Sequence, residues 1–302
     1  MPTQKEAVRE ISYASSAKSR GGRVLIRTME NATGRPGLIR RAMNYDREVA
    51  MGRDFWDVVT RRYGLSLDVI GGTLENIPET GPVVLVANHP YGILDGLIMG
   101  YILSARRNGD FRIIAHRVFR KAQDLDRVIL PIAFDETPQA LQTNIETRKT
   151  ALRYLDQGGA IGIFPGGTVS TAPTPFGRPT DPIWRSFTAK MILKSNATVV
   201  PLYFDGQNSR LFQMASHIHY TLRMSMLIRE FRRRVDTPVR IAVGQPIKRS
   251  DIDQFRHDPQ GLMHDLRHRT YALAPNHKTT AAYGFEYEDR YRDQARQFSQ
   301  AR

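Results

Sequence analysis

The stretch VVLVANHPYGILDG, Val83 to Gly96, reads as strand, turn and helix in succession. Val83 to Ala87 is a continuous apolar run, the mark of a strand buried on both faces of a sheet. Asn88 and His89 follow at the C-terminal end of that strand. Pro90 and Gly92 shape a turn, and an apolar helix begins with Asp95 in its first turn. In open α/β folds the loops at the C-terminal ends of strands hold the ligands. Five residues separate His89 from Asp95, so a strand–turn–helix folds the carboxylate back to one imidazole nitrogen. A carboxylate there fixes the tautomer and supports positive charge on the ring, which leaves the other nitrogen as a general base. The competing reading is a surface histidine beside a helix-capping aspartate.

Outward from this stretch the same rhythm repeats. Strands are expected at Leu67–Ile70, Ile113–Ala115, Val128–Ile132, Ala160–Phe164, Val199–Phe204 and Val239–Val243. Helical stretches run over Gly92–Arg107, Pro138–Asp156, Ile183–Ser195 and His219–Arg234. The alternation predicts an α/β fold with a central, mostly parallel sheet flanked by helices. Residues 21–63 carry helical periodicity on both sides of a turn at Thr33–Gly37, so an N-terminal helical pair precedes the sheet. Three segments follow from this: a basic helical segment over 1–64, a catalytic domain over 65–275, and a polar tail or terminal helix over 276–302.

The chain has 302 residues, 44 Lys plus Arg against 30 Asp plus Glu, a net charge of +14 and no cysteine. Zero cysteine excludes a disulfide scaffold, a thiolate zinc site, an iron–sulfur cluster and a Cys nucleophile. The basic balance attracts polyanions, whether nucleic acid, anionic lipid or acidic cofactors. No apolar run reaches the ~18 residues of a spanning helix, and the N-terminus lacks a signal-peptide core. The expected location is the cytoplasm, at a membrane surface. The arginines concentrate in residues 20–62 and in Arg223–Arg234, where an apolar stripe with a basic end reads either as a core helix or as a membrane contact.

Two further segments carry polar residues after apolar strands. In IGIFPGGTVS, Ile161 to Ser170, two glycines let the backbone approach a ligand and expose its N–H groups. The same loop also reads as an ordinary strand-terminating turn. In VVPLYFDGQNSRLF, Val199 to Phe212, a strand leads into Asp205, Gln207, Asn208, Ser209 and Arg210. Histidines paired at His264/His268 and His217/His219 have spacings that zinc sites use, but no third ligand sits near either pair in a recognisable motif. No residue is assigned to a metal.

Taken together, the three segments resemble the lysophospholipid acyltransferase superfamily, the PlsC-like glycerolipid acyltransferases. Asn88-His89 with Asp95 is similar to that family's Asn-His…Asp signature. Phe164-Pro165-Gly166-Gly167-Thr168 is similar to its Phe-Pro-Glu-Gly-Thr block, and Val200-Pro201 to its last block. The resemblance covers roughly residues 65–250. It departs from the usual pattern twice. The His-to-Asp spacing is one residue longer, a spelling similar to a hemolysin-like branch that includes acyltransferases of bacterial aminolipids such as ornithine lipid. Gly166 and Val169 stand where the family has Glu and Arg.

The resemblance implies transfer of a fatty acyl group from acyl carrier protein or coenzyme A, with no other cofactor, to the hydroxyl of a lyso-lipid. It implies His89 as base and Asp95 as its partner. It implies substrate binding by Asn88, Gly92, Phe164, Pro165, Gly166, Gly167, Thr168 and Ser170, with Arg117 and Arg120 in the segment where the family binds its acceptor, and Arg127 as a further candidate. The implied partners are the lyso-lipid, the thioester carrier and an anionic membrane surface, with no nucleic acid. The implied location is the cytoplasmic face of the inner membrane. The alternatives are a 1-acylglycerol-3-phosphate acyltransferase, a hydrolase that passes the acyl group to water, and a non-catalytic basic module that binds membrane or nucleic acid.

Overall fold

In the computed structural model, which describes residues 12–14, 17, 19–116, 123–133, 137–275, 282–288 and 291, seven strands form one sheet. They are β1 (Ser66–Gly71), β2 (Val83–Ala87), β3 (Phe111–His116), β4 (Ile129–Ile132), β5 (Ala160–Ile163), β6 (Thr198–Phe204) and β7 (Pro238–Val243). Their order across the sheet is β1-β7-β6-β2-β5-β3-β4. Every neighbouring pair is parallel except β6 with β7. Each strand lies where its apolar run predicts.

β2 is buried along its whole length. Its alternate side chains enter different cores, as the period of a strand requires. Val83, Leu85 and Ala87 join Trp56, Ile98 and Phe231 on one face. Val84 and Val86 join Trp184, Met191 and Leu262 on the other. The first core is covered by helices Phe55–Arg62, Ile93–Arg106 and Tyr220–Arg232. The second is covered by Pro138–Asp156, Ser186–Leu193 and Pro259–Ala272. Both faces being covered is why the central strands β2, β5 and β6 read as unbroken apolar runs.

The N-terminal segment differs from the expected pair. Among the described residues it holds four short helices: Arg20–Ala32, Arg35–Ala42, Tyr45–Ala50 and Phe55–Arg62. The turn expected at Thr33–Gly37 falls at Thr33–Gly34. A second break comes at Asn44, whose φ of 64° is left-handed and stops a right-handed helix from propagating. Leu38, Phe55, Trp56 and Val58 belong to the same apolar cluster as Val83 and Leu85, so these helices share the core of the sheet.

The helix Tyr220–Arg232 is a core helix. Met226, Leu227, Ile228 and Phe231 are buried in it. Arg223, counted from sequence among the docking arginines, is also buried and cannot meet a membrane. Near the C-terminus, residues 282–288 pack against the domain. The Phe285 N–H donates to the Thr171 carbonyl, and Arg185 grips Glu286 through both guanidinium nitrogens at 2.8 and 2.9 Å.

Candidate active site

β2, β5 and β6 are adjacent and parallel, so whatever follows each of them emerges at one edge of the sheet. This topology gathers the three segments, separated by many residues in sequence, into one place.

Asn88 directly follows β2. Its Nδ2 donates to the Phe204 carbonyl at 3.0 Å, and its Oδ1 accepts the Phe204 N–H at 2.7 Å. The side-chain amide thus extends the β2–β6 ladder by one step and fixes the direction in which His89 leaves the sheet. Its polar atoms are spent on backbone.

His89 Nδ1 lies 2.9 Å from Asp95 Oδ2. The same Oδ2 accepts the N–H groups of Tyr91 at 2.8 Å and Gly92 at 3.0 Å. One oxygen of Asp95 therefore both closes the first turn of helix Ile93–Arg106 and faces the imidazole. Gly92, the N-cap, has φ 92° and ψ −116°, a conformation in which L side chains are strained. A Cβ there would also stand 3.3 Å from Val169 Cγ2. The imidazole is 18% exposed and the carboxylate 0%, so the ring can be reached from outside and the carboxylate cannot. Burial pushes the Asp95 carboxyl above the usual carboxylate range, opposed by His89 and by the two N–H donors. The His89 ring stacks on Phe164, with centroids 4.3 Å apart and an interplanar angle of 25°.

The glycine loop after β5 is held tightly. The Gly167 N–H donates to the Phe164 carbonyl at 3.0 Å, closing a turn, so it is used within the loop. The Ser170 N–H donates to the His89 carbonyl at 2.8 Å. The Ser170 hydroxyl donates to Asp181 Oδ1, which also accepts the His89 N–H at 3.1 Å. From the other side Arg223 donates to Thr168 Oγ1 at 3.1 Å and to the Val169 carbonyl at 2.7 Å. It also reaches Thr171 Oγ1, Ser216 Oγ and the Tyr287 hydroxyl. Asp181 and Arg223 escape sequence reasoning. Asp181 sits in a proline-rich loop with no periodicity, and Arg223 reads as one of many arginines on a helix. Arg117 and Arg120 lie outside the described residues. Arg127 is exposed.

A pocket opens beside the histidine. His89, Gly92, Phe164, Pro165 and Gly167 share its lining with Trp56, Leu97, Ile113, Ile129, Ile163 and Phe187. These apolar residues belong to strands and helices whose sequence looks like core, and nothing in the pattern marks them as facing a ligand. Among the described residues no group of three His, Asp or Glu side chains is placed to hold a metal ion.

An acyltransferase family model matches residues 69–205, which span β2 through β6 and hold His89, Asp95 and the glycine loop. The chain is 26% identical over 221 residues to the lyso-glycine lipid O-acyltransferase of Phocaeicola vulgatus, covering 70% of this chain and 75% of that one. It is 23% identical over 212 residues to the enzyme of the same name from Bacteroides thetaiotaomicron, covering 68% and 75%. Among solved structures, the 1-acyl-sn-glycerophosphate acyltransferase PlsC of Thermotoga maritima aligns over 79% of this chain and 94% of its own, at 16% identity and a TM-score of 0.38.

Proposed function

We propose that the chain, much of which matches an acyltransferase family model, is a PlsC-like acyltransferase that passes a fatty acyl group from a thioester, acyl-acyl carrier protein or acyl-CoA, to the hydroxyl of a lyso-aminolipid. The observation that carries this reading is the buried Asp95 carboxylate set 2.9 Å from Nδ1 of an accessible His89. With Nδ1 facing Asp95, Nε2 is the base. It takes the proton of the acceptor hydroxyl as the oxygen attacks the thioester carbonyl. A C–O bond forms, the C–S bond breaks, and the imidazolium returns the proton to the departing thiolate. Asp95 stabilises the imidazolium between these events. General base catalysis of this kind contributes roughly 10²–10⁴-fold. The transfer is direct. The chain has no cysteine and no Gly-x-Ser-x-Gly elbow to form an acyl-enzyme.

The apolar pocket beside His89 supports an acyl chain as the group held next to the reacting atoms. The head group is argued from two sides. Position 166 is glycine and position 169 valine, which removes both motif charges from the loop. The two curated relatives are named for lyso-glycine lipid, an acceptor without phosphate in its name. A lysophospholipid is the second reading. Among the described residues no helix is long and apolar enough to cross a membrane. With +14 net charge, the enzyme docks peripherally on the anionic cytoplasmic face of the inner membrane.

The test is transfer in vitro. Purified enzyme is given acyl-acyl carrier protein or palmitoyl-CoA with lyso-glycine lipid, with 1-acylglycerol-3-phosphate, or with neither, and products are resolved by mass spectrometry. Acceptor-dependent loss of thioester and a diacylated aminolipid are expected. Thioester loss at one rate in all three mixtures identifies a hydrolase and overturns the proposal. Acylation of the phosphate lipid alone overturns the head-group assignment.

A further inference from the structure

We infer that Asp181 is a positioning residue of this reaction: its carboxylate joins the His89 loop to the glycine loop and sets the distance between them. The inference rests on His89 acting as the base. Asp181 is 0% exposed. Oδ1 accepts the His89 N–H at 3.1 Å and the Ser170 hydroxyl. The Ser170 N–H in turn donates to the His89 carbonyl at 2.8 Å. The backbone of His89 is thus held on both its N–H and its C=O sides, and both holds lead to the same two residues. Oδ2 accepts Trp184 Nε1–H at 2.9 Å, which fixes the carboxylate plane. The backbone of Asp181 is anchored as well. Its N–H donates to the Tyr271 hydroxyl at 2.7 Å, and its carbonyl accepts from Arg267 at 3.0 Å and from the Gly284 N–H at 2.9 Å. The residue that touches the two reactive loops is therefore itself tied to helix Pro259–Ala272 and to the C-terminal segment.

The same carboxylate accounts for the glycine at position 166. A Cβ on Gly166 would lie 3.3 Å from Asp181 Oδ2. Any side chain at 166, the glutamate of the resembled motif included, would start in close contact with that carboxylate. The loop has no acidic side chain of its own, and Asp181 supplies a carboxylate from outside it. Arg223, buried and without a carboxylate partner among the described residues, supplies a guanidinium to the opposite side of the loop through Thr168 and Val169. The two charges absent at 166 and 169 thus reappear at 181 and 223, in places where they bind the loop.

Placement errors of about 1 Å at a reacting group cost as much as 10²-fold in rate. Asp181→Ala is therefore expected to lower kcat about 100-fold, with KM for palmitoyl-CoA within about twofold of wild type. Asp181→Asn, which keeps the shape and loses charge, is expected to lower it about 10-fold. Ser170→Ala is expected to lower kcat less than Asp181→Asn, and the double variant no further than Asp181→Asn alone, because both act through one link. Leu155→Ala removes a buried side chain of the second core, away from Asp181 and the pocket, and serves as the stability control. It is expected to lower the melting temperature at least as much as Asp181→Asn while kcat stays near wild type. The assays use full-length enzyme, palmitoyl-CoA and lyso-glycine lipid, with circular dichroism confirming the fold of each variant. His89→Ala is run alongside. If His89→Ala is inactive and folded Asp181→Asn keeps wild-type kcat, Asp181 has no positioning role. Losses in kcat that add for Ser170→Ala and Asp181→Asn, or that are matched by Leu155→Ala, also overturn it. An active His89→Ala sinks the underlying reading instead.

Discussion

At the scale of single residues, the site rests on one oxygen with two duties. Asp95 Oδ2 caps a helix and faces the imidazole. Such double use sets function against stability. Folding raises the Asp95 carboxyl pKa, so the native state holds that proton more tightly than the unfolded chain. The stability this gives is full below the unfolded carboxylate range and is lost as pH rises through the native pKa. At neutral pH the buried charge counts against the fold. Asp95→Asn is accordingly expected to cut turnover by about 10²-fold or more while raising the melting temperature at pH 7, a gain that shrinks as pH falls. A clear drop in melting temperature at pH 7 would contradict this balance. Gly92→Ala is expected to cost about 1–3 kcal/mol in a denaturant titration, from the strained φ and the contact with Val169. His89 and Asp95 were legible in the sequence because a strand, a turn and a helix are all local. Asp181 was not, because its bond to His89 closes across 92 residues and depends on how two loops meet.

At the scale of elements, the sheet order does the gathering. The central strands were legible because burial on both faces imposes an unbroken apolar run, and β2 with its five buried residues is the clearest case. The number of N-terminal helices was not legible, because a left-handed Asn44 looks like any asparagine in a polar stretch. The pocket was illegible for the opposite reason: Ile113, Ile129 and Ile163 satisfy the strand pattern whether they face core or ligand. If they face an acyl chain, bulk placed among them shortens what fits. Ile163→Phe is expected to shift donor preference toward shorter chains, read from kcat/KM across thioesters of graded length, with an unchanged ranking as the contrary result. The C-terminal segment makes a second element-scale prediction. Glu286 pairs bidentately with the buried Arg185, and Glu286→Ala leaves that guanidinium a weaker partner in Glu288 at 2.9 Å. Removing one member of a buried pair costs about 3–5 kcal/mol, and thermal or denaturant unfolding reads the loss.

At the scale of the molecule, the proposed membrane contact rests on the +14 charge. Arg20, Arg23, Arg40 and Arg210 are exposed, whereas Arg223 is committed to the glycine loop, so the net charge overstates what the surface presents. Vesicles rich in phosphatidylglycerol are expected to sediment the enzyme at low ionic strength and release it as salt rises, because exposed charges are screened beyond about 10 Å at 0.1 M. Binding that ignores salt would point to an apolar contact instead. The whole account nonetheless turns on one proton transfer. The most direct measurement is single-turnover transfer from palmitoyl-CoA to lyso-glycine lipid by wild type and by His89→Ala at matched folded concentration. The account predicts a rate constant lowered by about 10²–10⁴-fold, with no acyl group left on the protein by intact-mass analysis. A His89→Ala rate equal to wild type, or an acylated enzyme trapped before transfer, would contradict it.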